Sequence, residues 1–304
     1  MHAFIIHRLA QGALVLLMAL TAAFLLMYVI GDPVIAIVGA EADRATIENV
    51  RQLYGLDRPL YVQYFSFLTN ALQGDFGMSA RYRTEVFPLM LQRLVVSIEI
   101  ALPALVLAIC LSILLGVVSA AYRNKLPDYL ARIVALVGQA APIFWVAIML
   151  IVIFSLALNW LPASGRGTWQ HMVLPTITLA LWPTAYLTRI MRGSILDVLG
   201  SDFIRTARGK GLAPMAVLFR HALRNALIPF TTVSAMQFAT LLAGSMIVET
   251  IFNYPGLGLL MINAIRQLDI SLVAGSIALT ASIAVVMNLV ADILYAVIDP
   301  RVSR

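Results

Sequence analysis

The sequence predicts an all-α polytopic membrane protein with about six transmembrane helices and both termini on the cytoplasmic side. Three observations carry this. Of the 304 residues, 61% are hydrophobic and 12% charged, whereas soluble domains run at about half apolar and about a quarter charged. A soluble core of this length cannot hide so much apolar surface, and lipid removes the conflict. Charge-free apolar runs recur at about the 20 residues needed to cross roughly 30 Å of hydrocarbon. Lys and Arg then fall into alternate loops, as orientation in a membrane requires.

The first run, residues 9–31, exceeds the roughly 7–15 residues of a signal-peptide core and has no A-x-A site after it, so it is expected to be a retained anchor. The second is 100–122 and the third 133–158, inside a longer run to 165. The fourth is 167–188, with Pro175 and Pro183; the fifth is 225–248; the sixth is 270–291, continuing to Ile298. At about 1.5 Å per residue each covers roughly 30 Å or more. Arg8, then Arg123, Lys125 and Arg132, then Arg189, Arg192, Arg205, Arg208, Lys210, Arg220 and Arg224, then Arg301 and Arg304 fall on one side, the cytoplasm. The opposite loops hold Arg166 and, against two acids, Arg266. Trp160 and Trp169 fall at the outer interface, where amphipathic rings sit. The net charge of +6 is thereby absorbed by membrane orientation, with no nucleic-acid surface implied. Cys110 is the single cysteine, so no disulfide forms within the chain, and it is expected to be a small buried hydrophobe.

Three loops carry information. The outer segment 32–99 opens on Gly31-Asp32-Pro33, a helix stop. It then shows an amphipathic stretch from Thr46 closed by Gly55, a turn at Asp57-Arg58-Pro59-Leu60, a second amphipathic stretch from Val62 to Leu72, and a break at Gly74-Asp75-Phe76-Gly77. Two readings fit: a cap packed on the membrane domain, or a contact for a soluble partner. On the cytoplasmic side, Ser201-Asp202 starts a short helix through Arg205, Thr206, Ala207 and Arg208, which Gly209, Lys210, Gly211 and Leu212 close before Pro214. A second helix, from Met215 to Arg224, leads into the fifth span. A basic loop facing lipid headgroups and a docking helix for a cytoplasmic protein, with small Ala207 and Gly211 permitting close approach, both fit. The last outer loop holds Glu249, a turn at Tyr254-Pro255-Gly256, Gly258, and a short interfacial helix from Met261 to Gln267. It serves either as a connector or as a binding element.

No P-loop occurs, since Gly209-Lys210 lacks the upstream glycine and the Ser/Thr, and no H-E-x-x-H or G-x-S-x-G is present. The four histidines form no ligand cluster. The spans hold almost no ionisable residue, Asp292 near the end of the last one coming closest, whereas secondary transporters and pumps place such groups at mid-membrane. Gln139, Asn159, Gln237 and Asn288 read as polar glue between helices. Energy coupling is therefore expected in a partner on the basic cytoplasmic face.

Over essentially its whole length the chain resembles the permeases of ABC importers for dipeptides, oligopeptides and nickel, of the first-permease type. Tyr54-Gly55-Leu56-Asp57-Arg58-Pro59-Leu60 with Gln63-Tyr64, then Gly74-Asp75-Phe76-Gly77-Met78-Ser79, is similar to that family's outer segment. Arg205-Thr206-Ala207-Arg208-Gly209-Lys210-Gly211-Leu212, followed by Arg220-His221-Ala222-Leu223-Arg224-Asn225-Ala226 and Pro229, resembles its cytoplasmic loop. Val248-Glu249-Thr250-Ile251-Phe252 with Tyr254-Pro255-Gly256-Leu257-Gly258, and the C-terminal run from Asp292 to Arg301, complete the likeness. The general importer loop reads Glu-Ala-Ala and then Gly; here Gly211 fits, while Arg205-Thr206-Ala207 and Arg224 depart as the peptide/nickel branch does.

The resemblance implies a type I importer architecture in one permease domain, 1–304: a first helix at 1–31, a long periplasmic segment at 32–99, and a five-helix core at 100–298 with a cytoplasmic coupling loop at 189–224. It implies a bacterial inner-membrane permease without enzymatic activity or cofactor. The partners would be a second permease subunit, two cytoplasmic ABC ATPase subunits and a periplasmic substrate-binding protein. Residues 205–212 would form the ATPase-coupling helix, and the substrate stays open among dipeptide, oligopeptide, nickel, glutathione and oligosaccharide. The alternative from another class is a secondary transporter or channel independent of ATPases.

Overall fold

With no water to satisfy a peptide group in lipid, a spanning chain closes its hydrogen bonds within each segment. The computed structural model describes residues 2–30, 34–35, 42–53 and 55–298, and these carry helices and no strand, with an isolated bridge between Met78 and Glu85. The order is α1 (His2–Ile30), α2 (Arg44–Leu53), α3 (Leu60–Leu72), α4 (Val86–Ala121), α5 (Leu126–Ala140), α6 (Ile143–Leu150, continued by π-helical turns over Ile151–Ala157) and α7 (Gln170–Leu199). Then come α8 (Asp202–Gly209), α9 (Pro214–Ala216, continued by π-helical turns over Val217–Leu223), α10 (Arg224–Ile251), α11 (Leu257–Arg266) and α12 (Ile270–Ile298). The predicted stop at 31–33, Tyr54, the Asp292 side chain and the C-terminal motif from Asp299 lie outside the described residues.

Four stretches, Ile6–Val29, Val86–Ala121, Pro214–Ile251 and Ile270–Ala291, are long and apolar enough to cross a membrane, and α5 with α6 makes a fifth. That third predicted span is not straight: its halves are bent by 103°. Pro142 causes the break, because its ring forces the preceding residue out of the helical region, and Ala141 stands at φ −70°, ψ 126°. The fourth predicted span is α7, 30 residues long. Its composition is too polar for that criterion because it packs on protein: Leu174, Leu179, Leu187, Met191 and Ile195 are all buried. Charges also clipped two predicted spans. Helix α4 begins at Val86, well before residue 100, and α7 runs on through Arg189 and Arg192 to Leu199. Cys110, expected inside, lies exposed on α4, and Asn159 takes a left-handed turn at φ 51° in place of a role between helices.

The chain forms two compact units. One comprises Ile98–Tyr254 with the stretch from Val290. Its core joins Val117 and Ala120 of α4 to Leu187, Met191 and Ile195 of α7, Leu218 and Ala222 before α10, and Phe230 within it. Helices α4 and α7 touch at Gly116, where a Cβ would stand 2.6 Å from Met191 Cγ. Beside this contact lies the fully buried Asp128, at the third residue of α5. Its Oδ1 accepts from Arg192 Nε at 2.9 Å and Ser119 Oγ at 2.5 Å; its Oδ2 accepts from Arg192 Nη2 at 3.0 Å and the Asn124 N–H at 2.8 Å. One carboxylate thus ties the end of α4, its turn, α5 and α7.

The other unit comprises His2–Ser97 and Pro255–Leu289. Here Phe24 of α1 meets the Tyr64 and Phe67 rings of α3 at 5.3 and 5.8 Å, and Thr21 shares a 2.7 Å hydrogen bond with Tyr64. Val86 and Met90 of α4 pack on Leu257, Leu260 and Ala264 of α11 and Leu272 of α12. Asp269 is the N-cap of α12: Oδ1 accepts the Leu272 N–H at 3.3 Å. Its Oδ2 accepts Ser79 Oγ at 2.5 Å and the Arg81 N–H at 3.2 Å, pinning the loop after α3.

Removing one partner of a buried ion pair strands the other, at about 3–5 kcal/mol. Asp128→Ala therefore lowers the unfolding midpoint of the purified protein well below that of Ser119→Ala, which loses one hydrogen bond worth about 1 kcal/mol. Equal midpoints in a thermal melt would contradict the role given to Asp128.

Candidate functional site

The predicted cytoplasmic helix exists as α8, and the structure shows what holds it. Asp202 in its first turn and Arg208 in its last match the helix dipole. Ser201 stands at the N-cap, but its hydroxyl turns back to the Val198 carbonyl at 2.6 Å. The other end closes as a Schellman motif: Gly211 N–H donates to the Arg208 carbonyl at 2.9 Å and Leu212 N–H to that of Ala207 at 3.4 Å. Gly211 takes φ +79°, and a Cβ there would meet nothing within 4 Å. The glycine answers a backbone requirement of this chain, with open space beside it.

Ala207 does not face outward as the close-approach reading required. With Ile204 it is buried against Val217, Val198 and Leu199, since residues three apart share a helix face. The opposite face is free. Phe203 is 48% exposed, and Arg205, Thr206, Arg208 and Lys210 are exposed too. The Arg205–Asp202 contact, 3.6 Å between nearly fully exposed side chains, is a weak surface pair that leaves Arg205 available. A cavity of about 570 Å³ opens alongside, walled by Arg208, Leu212 and Met215 with Arg123 from the turn after α4. A face of cations around exposed apolar side chains suits a protein partner with acidic and apolar groups. The sequence flagged the cations; Phe203 and Met215 were missed, because their exposure depends on which face Ile204 and Ala207 bury.

The outer motifs are dispersed. Asp57, Arg58 and Pro59 form the turn from α2 to α3, held by Gln63 Nε2, which donates to the Leu56 and Arg58 carbonyls at 3.2 and 2.7 Å. Gly74 closes α3, and Asp75 Oδ1 accepts the Gly77 N–H at 2.8 Å. Glu249 is no loop residue: it is fully buried in the last turn of α10 and accepts Ser245 Oγ at 2.8 Å. The Pro255 carbonyl accepts Arg93 Nη1 at 3.1 Å, Gly256 is the N-cap of α11, and Gly258 lies in its first turn. These last positions anchor structure within the chain.

A further cluster joins outer loops that the sequence kept apart. Arg166 clamps Glu99 of α4 through Nε at 2.8 Å and Nη2 at 2.5 Å, and Tyr254 donates to the same carboxylate at 3.0 Å. Burial, then the Glu99 carboxylate, push the Tyr254 phenol up to about 12. The lone cation in its outer loop was the available signal.

A β-branched residue at a left-handed position costs on the order of 1–3 kcal/mol. Gly211→Val therefore frays α8, read as faster amide exchange over Arg205–Arg208, while Gly211→Asn, which tolerates that backbone, exchanges near the wild-type rate. Equal rates in both variants would remove the backbone role.

Residues 112–304 match the family described as binding-protein-dependent transport system inner membrane component, and residues 1–101 match its N-terminal membrane-component family. The glutathione transport system permease protein GsiC of Escherichia coli (strain K12) is 40% identical over 272 residues, spanning 90% of this chain and 89% of GsiC. Two solved structures share the fold. An amino acid ABC transporter with histidines aligns at TM-score 0.54 and 17% identity over 70% of this chain and 94% of its own. The methionine ABC transporter MetNI, in inward-facing conformations, aligns at TM-score 0.56 and 12% identity over 69% and 96%. In such importers ATP hydrolysis belongs to separate subunits, and the permease works with ATPase, substrate-binding and second-permease partners. The chain belongs to the binding-protein-dependent transport system inner membrane component family and is a multi-pass, inner-membrane permease subunit of a type I ABC importer.

Proposed function

We propose that the chain acts as one permease domain that passes a small peptide-like solute of the glutathione class, paired with a related second permease and driven by two cytoplasmic ATPases, one of them docked through α8. The single observation that carries the docking role is the two-faced build of α8. Ile204 and Ala207 lock one face to the chain, while Phe203, Arg205 and Arg208 stand free on the other. A helix held this firmly transmits force instead of yielding. Residues 205–212 then sit in a groove of the ATPase, and ATP-driven closure moves them as a rigid body with α7, which leads directly into α8. The switch is between two packed states, biased by a ligand with different affinity for each. The solute class is supported by the 40% identity to a glutathione permease across nearly the whole chain. A periplasmic binding protein delivers that solute to the outer segment, where Asp57, Arg58 and Asp75 are exposed.

Phe203→Asp tests the docking. It places a carboxylate on the free face without touching the buried one. ATPase subunits are lost on affinity purification of this variant, and the second permease is retained. Undiminished ATPase recovery would refute the docking role of α8. The solute class is tested by uptake of labelled glutathione into cells carrying the whole system; uptake that excess dipeptide and glutathione both fail to compete would refute it.

A further inference from the structure

Two motifs that docking leaves unused meet at one cavity of about 600 Å³ in the unit of His2–Ser97 and Pro255–Leu289: Arg58 of the first, and Asp75, Phe76 and Gly77 of the second, line it. That volume falls within the range of small-molecule sites, which combine an apolar body with a few polar groups. The lining divides in that way. Phe24 and Met27 of α1, Phe67 of α3 and Ala274 of α12 supply apolar wall; Arg58, Asn70, Asp75 and Arg83 supply charge and hydrogen bonds. Arg58 and Arg83 are exposed and have no ion pair among the described residues. Asp75 uses Oδ1 on the Gly77 N–H. The other carboxylate on the wall, Asp269, is buried and occupied by Ser79, Arg81 and Leu272.

The rim is held in place at a conformational cost. Arg83 stands at φ 53° and Leu268 at φ 56°, positions that side chains with a Cβ rarely take. Leu268 directly precedes Asp269, and Arg83 ends the turn that begins at Ser79, the partner of Asp269 in a 2.5 Å hydrogen bond. Arg83 is further tied by its own N–H to the Ser79 carbonyl at 2.9 Å.

We propose that this cavity is a binding site for a small zwitterionic solute, with its carboxylate on Arg58 and Arg83 and its ammonium on Asp75 and the Asn70 side-chain carbonyl. Two guanidinium groups hold a carboxylate through charge-assisted hydrogen bonds, and the aromatic wall takes the body of the solute. The site deepens the peptide-like reading and rests on it for the choice of probe. A phosphatidylethanolamine headgroup carries the same pair of charges, so the test separates the two sources.

The assembled permease complex, freed of its binding protein, is placed in phosphatidylglycerol nanodiscs and titrated with alanyl-alanine by calorimetry without ATP. Alanyl-alanine binds; its N-acetyl and C-amide derivatives each bind about tenfold more weakly, the loss expected for one charge-assisted contact. Arg58→Gln and Arg83→Asn weaken alanyl-alanine by a similar factor, and Asn suits the left-handed backbone at 83, so the loop survives. Asp75→Asn keeps the acceptor for Gly77 and weakens only ligands with a free ammonium. Absence of binding, or binding indifferent to these variants, overturns the proposal. A second titration uses nanodiscs containing phosphatidylethanolamine. Unchanged binding there supports a solute site, and abolished binding makes lipid the occupant and overturns it. The readout is binding alone, so its failure leaves the transport reading standing, and failed uptake with intact binding strikes only that reading.

Discussion

Asp128 is the point on which the unit of Ile98–Tyr254 depends. A carboxylate with no exposed surface must find its donors within the chain, and here it finds two guanidinium N–H groups, a hydroxyl and a backbone N–H. The three donor residues, Arg192 of α7, Ser119 of α4 and Asn124 of the turn, lie in different elements, so the charge fixes their mutual placement as apolar packing alone does not. Arg192 lies on α7, and α7 leads through Gly200 and Ser201 into α8. The free face of α8 therefore inherits its aim from a buried ion pair some ten residues upstream, backed by the Ile204 and Ala207 contacts. The path from α8 to the Asp128 contact is covalent and short.

A second constraint recurs at helix ends. Helices α2, α3, α8, α10 and α11 all stop with the same pair of reversed hydrogen bonds. Three use glycine in the left-handed position, Asn253 serves α10, and Leu268 serves α11 at φ 56°. The leucine is the costly one, and it stands directly before Asp269. A turn at that point delivers the Asp269 carboxylate to Ser79 and to the start of α12 together. Local strain is thus accepted where a long-range contact of greater value depends on it.

Charge was the sequence signal most often misplaced. Arg189 and Arg192 count as loop cations under the rule that assigns sidedness, yet both lie in α7, where Arg189 reaches Gln139 at 3.3 Å and Arg192 is spent on Asp128. Arg93 and Glu99 cut the second predicted span short although the helix runs through both. A charge interrupts a hydropathy profile whether or not it has a partner, and partners distant in sequence are invisible there. Glu249 reads as a loop residue for the same reason, while Ser245 one turn earlier donates to its carboxylate inside the helix.

What the sequence by itself determined was local and cumulative. The apolar runs placed α1, α4, α10 and α12; Gly55, Gly74 and Gly211 marked helix ends; and four ordered motifs identified the family. These follow from hydropathy, backbone freedom and residue identity, which need no knowledge of the fold. Pro142 was equally visible, but the 103° bend it permits was not, because a break in a helix leaves its angle to whatever packs on the two halves. Only the tertiary structure decided which face of α8 is free, which charges are consumed by Asp128 and Asp269, and that the turn at Arg58 and the loop at Asp75 share one cavity. Each depends on contacts between residues far apart in the chain, and pairwise burial and hydrogen bonding across such distances is settled by packing alone.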